Sequence, residues 1–267
     1  MNRANTGQIS TDAAEIYDRW FLPALFEQWP QRLLERSGVR PGQRILDVAC
    51  GTGAFARAAA PYVGSSGTVV GVDINEGMLA VARRRSPDID WRQAPAEALP
   101  FAEHSFDHVF CQFGLMFFAD RELAVREMLR VLRPSGKLAA LVWSSLAESP
   151  GYACLVELLE RLFGSELASA MAAPYCLADS GQLRDLFASA GASDVTVETW
   201  PGSCHFPSLE AWIKINIQGW TLAELLDSEQ LRRLEREAAP TFSRFVGPDG
   251  AIVFDAPARW VLAKPHA

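Results

Sequence analysis

Residues 44–56 read RILDVACGTGAFA, and no other stretch restricts the fold as tightly. Arg44 to Cys50 is an apolar run of strand length, Gly51-Thr52-Gly53 is a glycine turn, and Ala54 to Ala60 is a run of helix formers. A buried strand, a glycine turn and a helix start, in that order, form the mouth of a nucleotide-type site. Glycine lets the backbone turn sharply there and approach a ligand closely. Asp47 refines the reading, because it puts a carboxylate inside the strand just before the turn. That charge repels a pyrophosphate and attracts a ligand carrying an ammonium and a sulfonium. S-adenosylmethionine is such a ligand and NAD is not.

Beyond the turn, strand and helix patterns alternate. Strands are predicted at 44–50, 68–73, 89–94, 106–112 and 137–143, with helices at 54–62, 75–85 and 120–132 between them. Asp120 is the predicted N-cap of the last helix, and Pro134-Ser135-Gly136 its stop. Alternation of this kind implies right-handed βαβ units and a parallel sheet. A helix at 180–190 and strands at 194–200 and 258–264 follow. Three helical segments interrupt the rhythm: 11–37, broken at Pro23, then 144–178, then 208–238. Residues 11–267 read as a single domain in which these segments cover the substrate side, and residues 1–10 read as unstructured.

Asp73 closes the second strand, about 20 residues beyond Gly53, where a carboxylate can hold both hydroxyls of a ribose. It would repel a 2′-phosphate, which disfavours NADP. Capping the next helix is the plainer alternative for Asp73.

Bulk properties narrow the partners. The 267 residues carry a net charge of −7, with no polybasic stripe, so nucleic acid is not an expected partner. No apolar stretch is long enough for a membrane span, and the N-terminus lacks a signal-peptide core. The five cysteines, Cys50, Cys111, Cys154, Cys176 and Cys204, show no CxxC pair and no metal spacing. They read as the reduced thiols of a cytoplasmic protein with no metal site. Oligomeric state is left open, a homodimer included.

LDVACGTG, VVGVD, AEALPF, FDHVFCQFGLMFF and REMLRVLRPSGKL together resemble the class I S-adenosylmethionine-dependent methyltransferases. Within that class the chain is most similar to the small-molecule branch that includes ubiquinone/menaquinone-type enzymes. The resemblance is strong over about residues 12–143 and looser over 180–264. It implies a doubly wound, Rossmann-like α/β fold: a seven-stranded sheet of order 3-2-1-4-5-7-6, the last strand antiparallel, with helical cover. It also implies methyl transfer to a small, partly apolar molecule through an oxygen, nitrogen or carbon atom, with S-adenosylhomocysteine as product.

The resemblance assigns roles residue by residue. Ala49, Gly51 and Gly53 would line the methionine part of the cofactor, and Asp47 would order that loop and favour the ammonium. Asp73 would hold the ribose, Ile74 would pack on the adenine face, and Met78 would lie nearby. The Ala96 amide would reach an adenine ring nitrogen. Gln112 and Phe113 would sit beside the methionine chain and the transferred methyl, and Tyr17 would reach the methionine carboxylate. One position departs from the pattern: Pro95 stands where relatives usually carry an adenine-binding Asp, which predicts weaker adenine selectivity unless Glu97 compensates.

No catalytic signature is expected, since an in-line displacement asks the protein mainly for proximity and orientation. His205 is the single candidate base, weighed against a merely structural role. Trp143, Trp212 and Trp220 are candidates to line a substrate pocket, as are Phe113 and Met116 to Phe118, though all could equally be core. Two rivals stand beside this reading. Gly51 to Ala56 also satisfies the GxGxxA of a nicotinamide dehydrogenase, although Asp47 opposes that and no Tyr-x-x-x-Lys pair is present. A protein that binds the cofactor without transferring methyl would carry identical binding motifs.

Overall fold

The computed structural model describes residues 11–218 and 226–266. Trp220 and residues 1–10 lie outside the described residues.

The central strands are buried because helices cover both faces of the sheet, so their sequences are nearly continuous apolar runs. β1 (Arg44–Val48) is buried at every position after Arg44. β2 (Thr68–Asp73) and β3 (Asp90–Gln93) extend the sheet to one side in parallel. β4 (Phe106–Gln112) and β5 (Leu132–Trp143) extend it to the other. The connecting helices are α3 (Ala54–Val63), α4 (Glu76–Arg85) and α5 (Arg121–Arg130). After α8 (Ser180–Ser189), β6 (Ala192–Trp200) forms the far edge. β9 (Ala258–Pro265) slots between β5 and β6, antiparallel to both. The seven-stranded sheet has order β3-β2-β1-β4-β5-β9-β6, as the resemblance implied.

Asp120 is the N-cap of α5 and accepts the Leu123 N–H at 2.9 Å. The expected stop at Pro134-Ser135-Gly136 is not where α5 ends. The helix closes at Arg130, and Leu132 already begins β5. The apolar Val131 and Leu132 are fully buried, so burial against the sheet overrides the helical pattern.

A short antiparallel ribbon, β7 (Ser203–Phe206) with β8 (Ile252–Asp255), was not legible in the sequence. Four-residue strands carry too little period to register.

The N-terminal cover consists of α1 (Thr11–Ile16), a π-helical segment (Tyr17–Phe26) and α2 (Pro30–Ser37). Pro23 does not break it as expected. The wider i→i+5 ladder accommodates the ring, the Glu27 N–H reaches back to the Leu22 carbonyl at 2.8 Å, and the chain turns only after Phe26. The second cover segment folds as α6 (Pro150–Phe163) and α7 (Ser165–Ala172). The third contains α9 (Leu209–Gln218) and α10 (Ser228–Phe242).

Candidate active site

The chain runs outward from β1 to β3 on one side, then returns to start β4 on the other. In open α/β sheets the ligand crevice opens at such a reversal, beyond the carboxyl ends of the strands. Ala49 follows β1 and Phe113 follows β4, and both sit at φ 56°. A residue with a side chain pays about 1–2 kcal/mol for that left-handed conformation. Gly114 allows the two strand ends to meet, since a Cβ there would stand 2.4 Å from Ala49 Cβ. Strained backbone of this kind persists where a site requires it.

Three acids face this crevice. Asp47 is buried in mid-sheet, between Gly71 of β2 and Phe110 of β4. Its Oδ2 accepts the Ala56 N–H at 3.2 Å, which anchors the first turn of α3. Burial pushes its carboxyl well above the ordinary range, and nearby Asp73 adds to the shift. Asp73 accepts the Gly51 N–H through Oδ2 and the Asn75 N–H through Oδ1, each at 2.8 Å. Burial raises this carboxyl too. Asn75 is the N-cap of α4, taking the Met78 N–H at 3.1 Å, so Asp73 is not spent on capping. A carboxylate has about four acceptor sites, so beside its backbone amides Asp73 keeps acceptor capacity for a ligand hydroxyl. Asp18, the third acid, is buried between Arg85, whose Nε lies 2.8 Å from Oδ2, and Arg57, whose Nη2 lies 3.6 Å from Oδ1.

The remaining predicted residues divide. Tyr17 is packed between Phe21 and Phe26 on the π segment. Burial raises its hydroxyl pKa, and Asp73, Asp18 and Asp47 reinforce the rise, so this phenol belongs to the acidic crevice. Ile74 is 48% exposed directly after Asp73, an apolar surface available to a ring. Met78 is half-buried one turn along α4. The Ala96 amide has no acceptor among the described residues. Gln112 Oε1 is buried at the end of β4 with no hydrogen-bond partner among the described residues. A buried acceptor without a donor costs about 1–3 kcal/mol, and a ligand donor would satisfy it.

Two candidates are placed elsewhere. Glu97 Oε1 accepts the Ala119 and Asp120 N–H groups at 3.0 and 3.3 Å. It ties down the loop before α5 instead. His205 lies on the outer face of the β7–β8 ribbon, paired with Val253 and exposed. The alternation of a strand turns its neighbours Cys204 and Phe206 inward and His205 outward.

A second cavity, small at about 20 Å³, adjoins the crevice. Leu25 and Phe26 of the π segment and Trp143 of β5 form one side. Tyr152 of α6, Met171 of α7, Pro174 and Tyr175 form another, and Asn216 of α9 completes it. All three helical cover segments therefore contribute. Phe113 lies behind two of the lining residues, Phe26 and Trp143. It stacks on Trp143 with ring centroids 3.9 Å apart and meets the edge of Phe26 at 5.3 Å, while Gln112 beside it belongs to the crevice. Trp212 is not a lining residue; it is fully buried and packs under Tyr152. Tyr152, Tyr175 and Asn216 were missed from the sequence. Asn216 did leave a signal, as the polar residue between Ile215 and Ile217.

Residues 46–140 match the methyltransferase domain family. The ubiquinone/menaquinone biosynthesis C-methyltransferase UbiE of Ectopseudomonas mendocina is 46% identical over 126 residues, which is 45% of this chain and 49% of that protein. The demethylmenaquinone methyltransferase of Renibacterium salmoninarum is 42% identical over 134 residues, 50% of this chain and 55% of that protein. The chain spans about half the length of the curated relatives it matches. Among solved structures, YcgJ from Bacillus is 20% identical with a TM-score of 0.61, over 89% of this chain and 98% of that one. The cyclase SpnF is 18% identical with a TM-score of 0.56, over 90% and 81%. These structures share the fold.

Proposed function

We propose that this chain binds S-adenosylmethionine in the crevice between β1 and β4 and transfers its methyl group to a small molecule held in the adjoining cavity. The observation that carries the reading is the crevice itself. Glycine turn, acids and an unpartnered Gln112 Oε1 converge at the strand reversal, and the relatives matched over the same kind of domain are named methyltransferases. Residues 11–267 act as one domain, with 11–37, 144–178 and 208–238 as substrate cover.

The residues fit the cofactor. Ala49, Gly51 and Gly53 would lie against its methionine part, and Gln112 Oε1 would accept from the ammonium. Asp47 and Asp73 supply negative charge to a cationic ligand, with Asp73 also taking the ribose hydroxyls. Ile74 and Met78 would face the adenine, the Ala96 amide would donate to it, and Tyr17 would close over the carboxylate end. When bound, the cofactor supplies an activated methyl. The protein's share is to align the acceptor and exclude water, and Phe113, beside Gln112 and behind Phe26 and Trp143, is placed to set that alignment. No carboxylate or imidazole lines the cavity among the described residues, so this chain offers orientation there and no strong base.

Titration calorimetry tests the reading. S-adenosylmethionine and S-adenosylhomocysteine are expected to bind at micromolar or tighter affinity, and Asp73→Ala to weaken both at least about tenfold, as loss of hydrogen bonds to a charged group implies. Binding of NAD in their place, or no binding at all, would sink it. A second reading, cofactor binding in service of a reaction other than methyl transfer, is favoured by the same fold in a protein named a cyclase. Formation of S-adenosylhomocysteine in the presence of an accepted substrate decides against it.

A further inference from the structure

S-adenosylmethionine carries an ammonium, a sulfonium and a carboxylate. The acids of the crevice suit the two cations, and the same acids repel the carboxylate at the end of the methionine chain. A carboxylate brought close to Asp47 and Asp73 needs a cation of its own.

Arg57 is placed to supply it. It lies in the first turn of α3, and long side chains on a helix lean back toward its N-terminus. The guanidinium therefore folds over the glycine turn, where Nη1 donates to the Thr52 carbonyl. Its Nη2 stands 3.6 Å from Asp18 Oδ1, near enough for attraction and too far for a hydrogen bond. Asp18 Oδ1 is buried and has no hydrogen-bond partner among the described residues. A guanidinium has five N–H donors, and the Thr52 carbonyl takes one of them. The side chain is a quarter exposed, so a ligand can reach the donors that remain. Arg85, the other arginine on Asp18, differs: it is spent on Oδ2 through both Nε and Nη2.

Electrostatics sets Arg57 at the same crevice. Asp73, Asp18 and Asp47 all push the Tyr17 hydroxyl pKa up, and Arg57 opposes them. At Asp47 itself, Asp73 and Arg57 act in opposite directions. Arg57 is thus a cation within reach of both the phenol and the buried carboxyl. Tyr17 stays neutral near pH 7, so it can offer the ligand a hydrogen bond but no charge.

We infer that Arg57 receives the carboxylate of the cofactor's methionine chain, and that Asp18 of the N-terminal cover is the positioning residue that steers the guanidinium over the crevice. The inference rests on the S-adenosylmethionine reading of the site. It makes the crevice selective for nucleoside thioethers whose chain ends in an amino acid, against those that end in an amine alone.

Calorimetry on the full chain at pH 7 tests it with two ligands: S-adenosylhomocysteine and its decarboxylated analogue, which keeps the adenosine, the thioether and the ammonium. The unaltered chain is expected to favour the first at least about 30-fold. Arg57→Gln is expected to weaken S-adenosylhomocysteine about 10- to 100-fold and the analogue less than about 3-fold, so that the preference collapses. Arg57→Lys keeps the charge and loses the fork; it should fall between the two, and it carries the comparison if the Gln variant does not fold. Asp18→Asn should lower the preference by a smaller factor, about 3- to 10-fold. Equal binding of the two ligands by the unaltered chain, or parallel weakening of both in the Arg57 variants, overturns the inference and leaves Arg57 as a brace of the glycine turn. An unchanged preference in Asp18→Asn overturns the positioning role of Asp18. Failure of both ligands to bind the unaltered chain overturns the cofactor reading itself, so the two failures are told apart.

Discussion

At the scale of single residues, His108 is governed by burial. It lies in β4, 4% exposed and stacked on Phe110 at 5.9 Å. Burial lowers its pKa from 6.5 to about 4, and Lys137 adds repulsion. The folded protein therefore holds it neutral, while the unfolded chain protonates it below pH 6.5. Its contribution is whole above that pH and is lost as pH falls toward 4, a window worth about 3 kcal/mol at roughly 1.4 kcal/mol per pKa unit. His108→Phe is expected to flatten the acid limb of denaturant-measured stability between pH 6.5 and 4 while changing little at pH 7.5. An unchanged acid limb would show that other groups govern it. Asp73 is the opposite case: its position after the glycine turn announced it, and the Asn75 cap leaves it available.

At the scale of elements, the turn from β1 to α3 and the strand β2 depend on one aromatic side chain from β3. A Cβ added at Gly53 would stand 2.3 Å from Trp91 Cη2, and one at Gly71 would stand 2.4 Å from Trp91 Cε3. The indole therefore lies flat across both glycines, and Gly53 also needs φ 83°. Gly53→Ala is expected to cost about 2–4 kcal/mol, from left-handed strain plus overpacking. Adding Trp91→Leu should recover the packing share alone, so a double-mutant cycle should show coupling between the two sites. Strict additivity would mean that the ring does not meet the new methyl. The pairing of Gly53 with Trp91 joins residues 38 apart in the chain, and no local pattern announces it. The glycine turn itself was legible, because a positive φ is a local demand and glycine is its local answer.

Across the whole molecule, the N-terminal cover is held to α3 and α4 by charge. Glu15 pairs with Arg84 at 2.8 Å, and Asp18 sits between Arg85 and Arg57. Asp18 is the buried member, so its removal frees two arginines that have water to turn to, and the cost is local rather than global. Asp18→Asn is expected to speed hydrogen exchange across residues 11–26 in line with a local loss of about 1–3 kcal/mol. Bound S-adenosylhomocysteine should dissociate faster in the same variant. Exchange rates equal to those of the unaltered chain would show that apolar packing of Phe21, Leu25 and Phe26 suffices to hold the cover. None of the described helices is long and apolar enough to cross a membrane, and no three-residue metal cluster occurs among the described residues.

The sequence by itself determined the alternation of strands and helices, the glycine turn, the acids of β1 and β2, and the Asp120 cap of α5. Each of these is written in a period, a propensity or a spacing short enough to read along the chain, and the motif set tied them to one fold. Tertiary structure alone decided the rest. It turned Glu97 onto the loop before α5, put His205 on an outer face, carried Pro23 through a π-helical turn, and paired β7 with β8. It also brought Phe26, Trp143, Tyr152, Tyr175 and Asn216 around one cavity from β5 and three separate cover segments. Those outcomes depend on which surfaces meet after the sheet has formed, and burial energies between distant residues leave no mark on the spacing of either one.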